Sequence, residues 1–185
     1  MIVSRIHTRL SLARDLDSLG IRAGDMVMVH AAMKRVGRLL SGPDVLIEAL
    51  RDAVGPAGTI VAYTDWNGAY DALLDENGRV PPEWRAHIAP FDPAVSRAAR
   101  DNGVLAEFIR TTPGARRSML EEFDTSEPVV PGLDDDYFGV IVRAFLASGQ
   151  GAQGLVGDAQ SVLVDAAAIC SFAVAWLEHH VRLEG

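Results

Sequence analysis

The chain has 185 residues, 49% hydrophobic and 23% charged, which is enough apolar matter for a single domain with its own core. Its 25 acidic and 17 basic residues leave a net charge of −8. That field opposes nucleic acid and favours a cationic partner, although an acidic surface is also the default of a soluble protein. The lone cysteine, Cys170, excludes an internal disulfide and any metal site built from several cysteines.

The first ten residues, MIVSRIHTRL, contain no apolar stretch of signal-peptide length. His7, ahead of the first helix, is expected to be exposed. In TRLSLARDLDSLG, Thr8 is the N-cap, Leu12, Leu16 and Leu19 recur at helical spacing, and Gly20 is the stop. GDMVMVH is a short, continuously apolar run of the kind buried on both faces of a sheet. SGPDVLIEALRDAVG places Pro43 in a first helical turn, Leu46, Ala49, Leu50 and Ala53 on one face, and Gly55 at the end. GTIVAY is the next strand. Strand, helix, strand makes a βαβ unit with parallel pairing, whose ligands bind beyond the carboxyl ends of the strands. His30 and Tyr63 stand at those ends.

Residues 64 to 91 read as loop, with DENG and VPPEW as turn signals. FDPAVSRAARDNG predicts a helix capped by Asp92, with Pro93 in its first turn and Asn102-Gly103 as the stop. VLAEFIR is a further short helix, and the stretch from Ser118 to Asp136 is acidic and irregular. DDDYFGVIVRAFLASGQG predicts a helix with its acids at the favourable amino end, and GQGAQG a flexible connector. The last helix shows Ile169, Phe172, Ala173, Trp176 and Leu177 in an amphipathic stripe. Cys170, among apolar neighbours, is expected to be a buried, inert thiol. The run from Ala166 to Leu177 is broken by Ser171 and falls short of the ~18 residues that span a bilayer. A cytoplasmic protein with no membrane contact is expected.

The stretch with the most chemistry is VMVHAAMKRVG. A strand ends at His30 and turns into a basic loop in which backbone amides, Lys34 and Arg35 could cradle a phosphate, with Gly37 allowing close approach. A solvated basic turn accounts for the same residues. No P-loop and no Gly-x-Gly-x-x-Gly is present.

Three blocks read together are more specific. GIRAGDMVMVHAAMKRVGRLLSGPDVLIEALRDAVGPAGTIVAY, FDPAVSRAARDNGVLAEFIRTTPGARRS and GLVGDAQSVLVDAAAICSFAVAWLEHH resemble, in that order, the aminoglycoside 3-N-acetyltransferases. The resemblance implies a layered α/β/α domain with a central mixed, largely parallel sheet. It also implies acetyl transfer from acetyl-CoA to the 3-amino group of a deoxystreptamine ring, with no metal. On that basis His30, Ala31, Ala32, Met33, Lys34, Arg35, Val36 and Gly37, with Arg117 and Ser118, would hold the coenzyme. Ala31 and Ala32 replace small residues that are often serine in the family. Tyr63, Asp65, Trp66, Asp71, Glu121, Glu122 and Asp124 would meet the polycationic aminoglycoside, carboxylates taking ammonium groups and flat rings taking sugar faces.

One departure bears on catalysis. In the family the arginine-serine pair continues into a histidine-proline motif and a long segment that carries the general base. Here GARRS is followed at once by MLEEFDTSEP, as though the middle segment between about 118 and 120 were absent. No residue matches the family base. Of the five histidines, His30 alone is expected at a ligand-bearing strand end, where holding the loop by a hydrogen bond is its expected role ahead of acting as a base. His179 and His180 are expected to cap the last helix. Sheet edges exposed by the missing strands predict self-association. A shortened, non-catalytic relative that binds CoA or a polycation, and a generic phosphate-binding α/β domain, are the competing readings.

Overall fold

The computed structural model describes residues 5–66, 73, 75, 79–118 and 137–180. Helix α1 (Arg9–Leu19) starts as its sequence dictates. Thr8 Oγ1 accepts from the Ser11 amide at 3.2 Å, and Ser11 Oγ accepts from the Thr8 amide at 2.9 Å, so two otherwise orphaned donors are satisfied reciprocally. Gly20 closes it, donating to Leu16 and Asp17. Leu12, Leu16 and Leu19 are buried where α1 packs against α3 (Asp44–Val54), which contributes Leu46, Ala49 and Leu50. Each of these leucines removed from water stabilises the fold by about 1.5–3 kcal/mol.

Strands β2 (Met26–Met28) and β4 (Thr59–Val61) pair in parallel with Val27 opposite Ile60, and Val29 extends the ladder by donating to Val61 O at 2.9 Å. The predicted parallel pairing is therefore present. Between them lie α2 (Met33–Val36), β3 (Arg38–Leu39) and α3. Strand β1 (Ile6–His7) pairs in parallel with β3. Further along come α4 (Pro82–Arg85), a 3-10 turn at Arg100–Asn102, α5 (Val104–Thr111), α6 (Tyr137–Ala147), β5 (Ala152–Val156), β6 (Ala159–Leu163) and α7 (Ala166–His180). Strands β5 and β6 form an antiparallel hairpin lying against α1.

The described residues form three separate two-stranded sheets, β1–β3, β2–β4 and β5–β6, the first two parallel. Several expectations are corrected. Strand β2 is buried on one face only. Val27 faces the core while Met26 and Met28 are 74% and 68% exposed, because no described element covers their side. The helix predicted from Asp92 is replaced by turns and the 3-10 segment. Part of the predicted connector GQGAQG is strand β5. Cys170 is exposed, since α7 has no fully buried residue. Its apolar stripe is half-buried, with Phe172 set edge-on to Phe145 of α6 at 5.4 Å. His7, expected at the surface, is 1% exposed.

At the end of α7, His179 Nδ1 lies 2.7 Å from Ala175 O and His180 Nδ1 2.8 Å from Trp176 O, so both rings fold back on carbonyls one turn earlier in the helix. No helix among the described residues is long and apolar enough to cross a membrane.

Candidate functional site

The loop after β2 divides its side chains by chemistry. Ala31 and Met33 pack against the core, and Val36 is 3% exposed within it. His30, Ala32, Lys34 and Arg35 face outward. Neither Lys34 nor Arg35 has an ion pair or side-chain hydrogen bond among the described residues. Two uncommitted cations on a short basic loop suit a diphosphate. His30 likewise has no side-chain hydrogen bond among the described residues. Gly37 also differs from expectation. Its close approach is to this chain's own His7 and Asp158.

The carboxyl end of β4 is built around Arg117. Its guanidinium donates through Nε to Thr64 Oγ1 at 3.1 Å, through Nη2 to Thr64 O and through Nη1 to Ser96 O. Its plane sits 4.8 Å from the centre of the Phe91 ring, and Phe91 packs on Trp66 at 5.3 Å. Burial, then the like charge of Arg110, lowers the Arg117 pKa, while Glu107 and Asp65 act against this. Arg117 therefore braces the strand end, which places Trp66 and Asp65. The Asp65 carboxylate accepts from the Trp66 amide at 2.6 Å, and Asp65 O accepts from the Ala99 amide at 2.7 Å. Tyr63 is exposed, as is Ser118.

The two halves of the site meet across residues 99–103. Asn102 Nδ2 reaches Asp65 O at 3.5 Å, and a Cβ placed on Gly103 would lie 3.6 Å from Ala31 O. The structure thus brings the 30–37 loop and the 63–66 strand end to one side of the parallel pair. Asp71, Glu121, Glu122 and Asp124 lie outside the described residues. A cleft of about 580 Å³ opens elsewhere, at the amino end of β4 between Arg51, Thr59, Ile109 and Arg116. It contains none of the predicted site residues.

The sequence reading missed Thr64, Phe91, Ser96, Glu107 and Arg110. The last two had a visible signal, an acid-base pair three residues apart on a helix. Glu107 takes two hydrogen bonds from Arg110, at 2.8 and 2.7 Å, and one from the Ala98 amide at 2.9 Å. Arg110 in turn holds Ala94 O at 2.8 Å. This pins the segment that carries Ser96 to α5. The Arg110 guanidinium, aided by Ala98 and opposed by burial, moves the Glu107 carboxyl from 4.5 to about 2. A depressed folded-state pKa adds stability that is complete above the unfolded value and lost as pH falls toward the folded one. Glu107→Gln is therefore expected to cost about 2 kcal/mol at neutral pH, after discounting for its partial exposure. Urea unfolding of both proteins should show the difference shrinking as pH drops from about 4.5 toward about 2.

A parallel βαβ unit with a basic loop at one strand end and Asp65, Tyr63 and Trp66 at the other has the architecture of α/β proteins, a class in which ligands bind at the carboxyl rim of the strands. The model of the family Aminoglycoside 3-N-acetyltransferase matches residues 28–121, a span that begins within β2 and contains both halves of this site. The chain belongs to the aminoglycoside 3-N-acetyltransferase family.

It is 43% identical over 136 residues to aminoglycoside N(3)-acetyltransferase VIII of Streptomyces fradiae, covering 70% of this chain and 46% of the relative. It is 28% identical over 259 aligned positions to aminoglycoside N(3)-acetyltransferase III of Pseudomonas aeruginosa, covering 93% and 94%. That alignment is longer than the chain itself, so part of the relative has no counterpart here. In the first comparison the chain spans less than half of its relative's length. Among solved structures, AAC-IIIb in binary complex with CoASH superposes with a TM-score of 0.85 at 43% identity, covering 95% of this chain and 97% of the other. AAC-VIa bound to sisomicin superposes with a TM-score of 0.82 at 28% identity, covering 96% and 100%.

Proposed function

We propose that this protein transfers the acetyl group of acetyl-CoA to the 3-amino group of the deoxystreptamine ring of aminoglycosides, inactivating them. The observation that carries the reading is the family match across residues 28–121, which includes the uncommitted cations of the loop and the braced strand end. In this reading His30 to Gly37 hold the coenzyme, with Lys34 and Arg35 on its diphosphate and Arg117 and Ser118 nearby. Asp65, with Asp71, Glu121, Glu122 and Asp124, takes the substrate's ammonium groups, and Tyr63 and Trp66 take its ring faces. The amine nitrogen forms a bond to the thioester carbon, the carbon–sulfur bond breaks, and CoA leaves as thiolate. The ammonium must first lose a proton, and in this reading His30, exposed at the strand end, takes it.

The alignment that outruns the chain supports placing the family's middle segment outside this sequence, between about 118 and 120. The layered α/β/α sheet belongs to the same proposal. The exposed Met26 and Met28 mark where further strands and helices would pack, and the open edges favour self-association. A cytoplasmic location fits a cytoplasmic coenzyme.

Thiol release from acetyl-CoA should be saturable in both coenzyme and aminoglycoside, and His30→Ala should lower it by roughly 10²–10⁴-fold if the imidazole is the base. Folded protein that binds CoA by calorimetry yet releases no thiol with any aminoglycoside would overturn catalysis by this chain.

A further inference from the structure

The mechanism leaves one buried titratable group unused. His7 is 1% exposed, and neither ring nitrogen has a hydrogen-bond partner among the described residues. Its Nε2 lies 3.0 Å from Asp158 Oδ1, whose side chain is half-exposed. The two polar atoms are thus in close contact, without the aligned geometry of a hydrogen bond. Asp158 follows Gly157 in the two-residue turn of the β5–β6 hairpin, far away in sequence. The same turn grips the end of the basic loop. The Asp158 amide donates to Val36 O at 2.9 Å, and Gly157 is backed directly onto that carbonyl. Gly157 is itself tied to α1, its amide donating to Asp15 Oδ2 at 2.9 Å. The Asp158 carboxyl carbon occupies the space beside Gly37, 2.9 Å from where a Cβ would stand, with His7 Cδ2 at 3.2 Å.

We infer that His7 and Asp158 form a clasp that positions the carboxyl end of the 30–37 loop for its diphosphate ligand. The inference rests on the coenzyme reading above for the identity of that ligand. The residues held, Val36 and Gly37, directly follow Lys34 and Arg35. Fixing Val36 fixes the direction in which the two cations leave the core and removes an ordering cost from binding. Because the carboxylate is half-exposed, the pair adds little to global stability; its effect is local order. His7 and Asp158 are positioning residues that act through the loop.

The carboxylate against the imidazole is that of Asp158 on the hairpin, and Asp15 on α1 holds the neighbouring Gly157 amide. Asp158→Ala removes the carboxylate and keeps the amide that bonds Val36. Amide hydrogen exchange should be about tenfold faster over residues 33–37 in this variant, the size of effect that coupling between contacting residues produces, with α3 unchanged. CoA affinity should fall by about tenfold, while affinity for pantetheine, which lacks the diphosphate, stays constant. Asp158→Asn, which keeps an oxygen toward Nε2, should recover most of both effects. Exchange over 33–37 identical to the parent protein overturns the clasp, whether or not CoA binds. Equal loss of CoA and pantetheine also overturns it. Faster local exchange in a protein that never bound CoA upholds the clasp and removes the coenzyme reading instead.

Discussion

Arg117→Lys is expected to behave like Arg117→Ala, with coenzyme and aminoglycoside affinity falling by about tenfold or more and stability by about 1–3 kcal/mol. Lysine would preserve the charge but lose the geometry. Three guanidinium nitrogens bond two chain segments at once, Thr64 at the end of β4 and Ser96 more than thirty residues later, while the flat face rests on Phe91. An ammonium is a point charge on a flexible stem and cannot span both carbonyls while stacking on a ring. With the brace gone, two carbonyls lose their partner in a half-buried site, and the Trp66–Phe91 contact loses its support. Calorimetric titration with CoA and with an aminoglycoside, alongside a thermal melt, checks this. A lysine variant that binds and melts like the parent would reduce Arg117 to a bystander charge.

The same residues show why part of the fold could not be read from the chain. Helices α1, α3 and α5 were legible because their signals are local: a Thr8–Ser11 cap, apolar spacing of three and four, a glycine or polar stop. The segment from Asp92 has equally good local signals for a helix and does not form one. A helix there would need Ser96 O for the amide four residues on, but Arg117 takes that carbonyl. It would also need the amides of Ala98 and Ala99, which go to Glu107 and Asp65. Asp92 does make the predicted cap, accepting from the Ala94 amide at 2.8 Å, and its carbonyl accepts from the Ser96 amide at 2.8 Å, but the chain continues no further as a helix. Long-range partners outbid the propensity, and no window of sequence contains them.

The candidate site was legible to the same degree. The basic loop and the strand end could be placed because a parallel βαβ unit fixes where its strands finish. What holds the loop could not. The β5–β6 hairpin had a usable signal, Gly157-Asp158 between two apolar runs, but the neighbouring glycines read as linker. His7 looked solvent-exposed because nothing near it in sequence covers it. Its cover is that hairpin turn. The exposure of Cys170 and Met28 is the converse case, an apolar pattern whose partners are not among the described elements.

Gly37→Ala should be the most damaging single methyl group in the site, lowering stability by about 1–3 kcal/mol and the melting temperature by about 2–12 °C, with CoA affinity reduced more than tenfold. Gly37 has φ +98 and ψ −163, a backbone region that is essentially closed to residues with a Cβ. The added carbon would also overlap Asp158 Oδ2 and press on His7 Cδ2 at 3.2 Å. Either the backbone rotates, which redirects Lys34 and Arg35, or Asp158 swings into solvent and abandons the imidazole. Gly24→Ala separates the two costs, because Gly24 has φ +92 with no atom within 4 Å of an added Cβ. It should suffer backbone strain alone and leave CoA binding intact. If the two variants melt alike and bind CoA alike, the contact among Gly37, His7 and Asp158 carries no weight, and the basic loop sits where it does through the burial of Val36 alone.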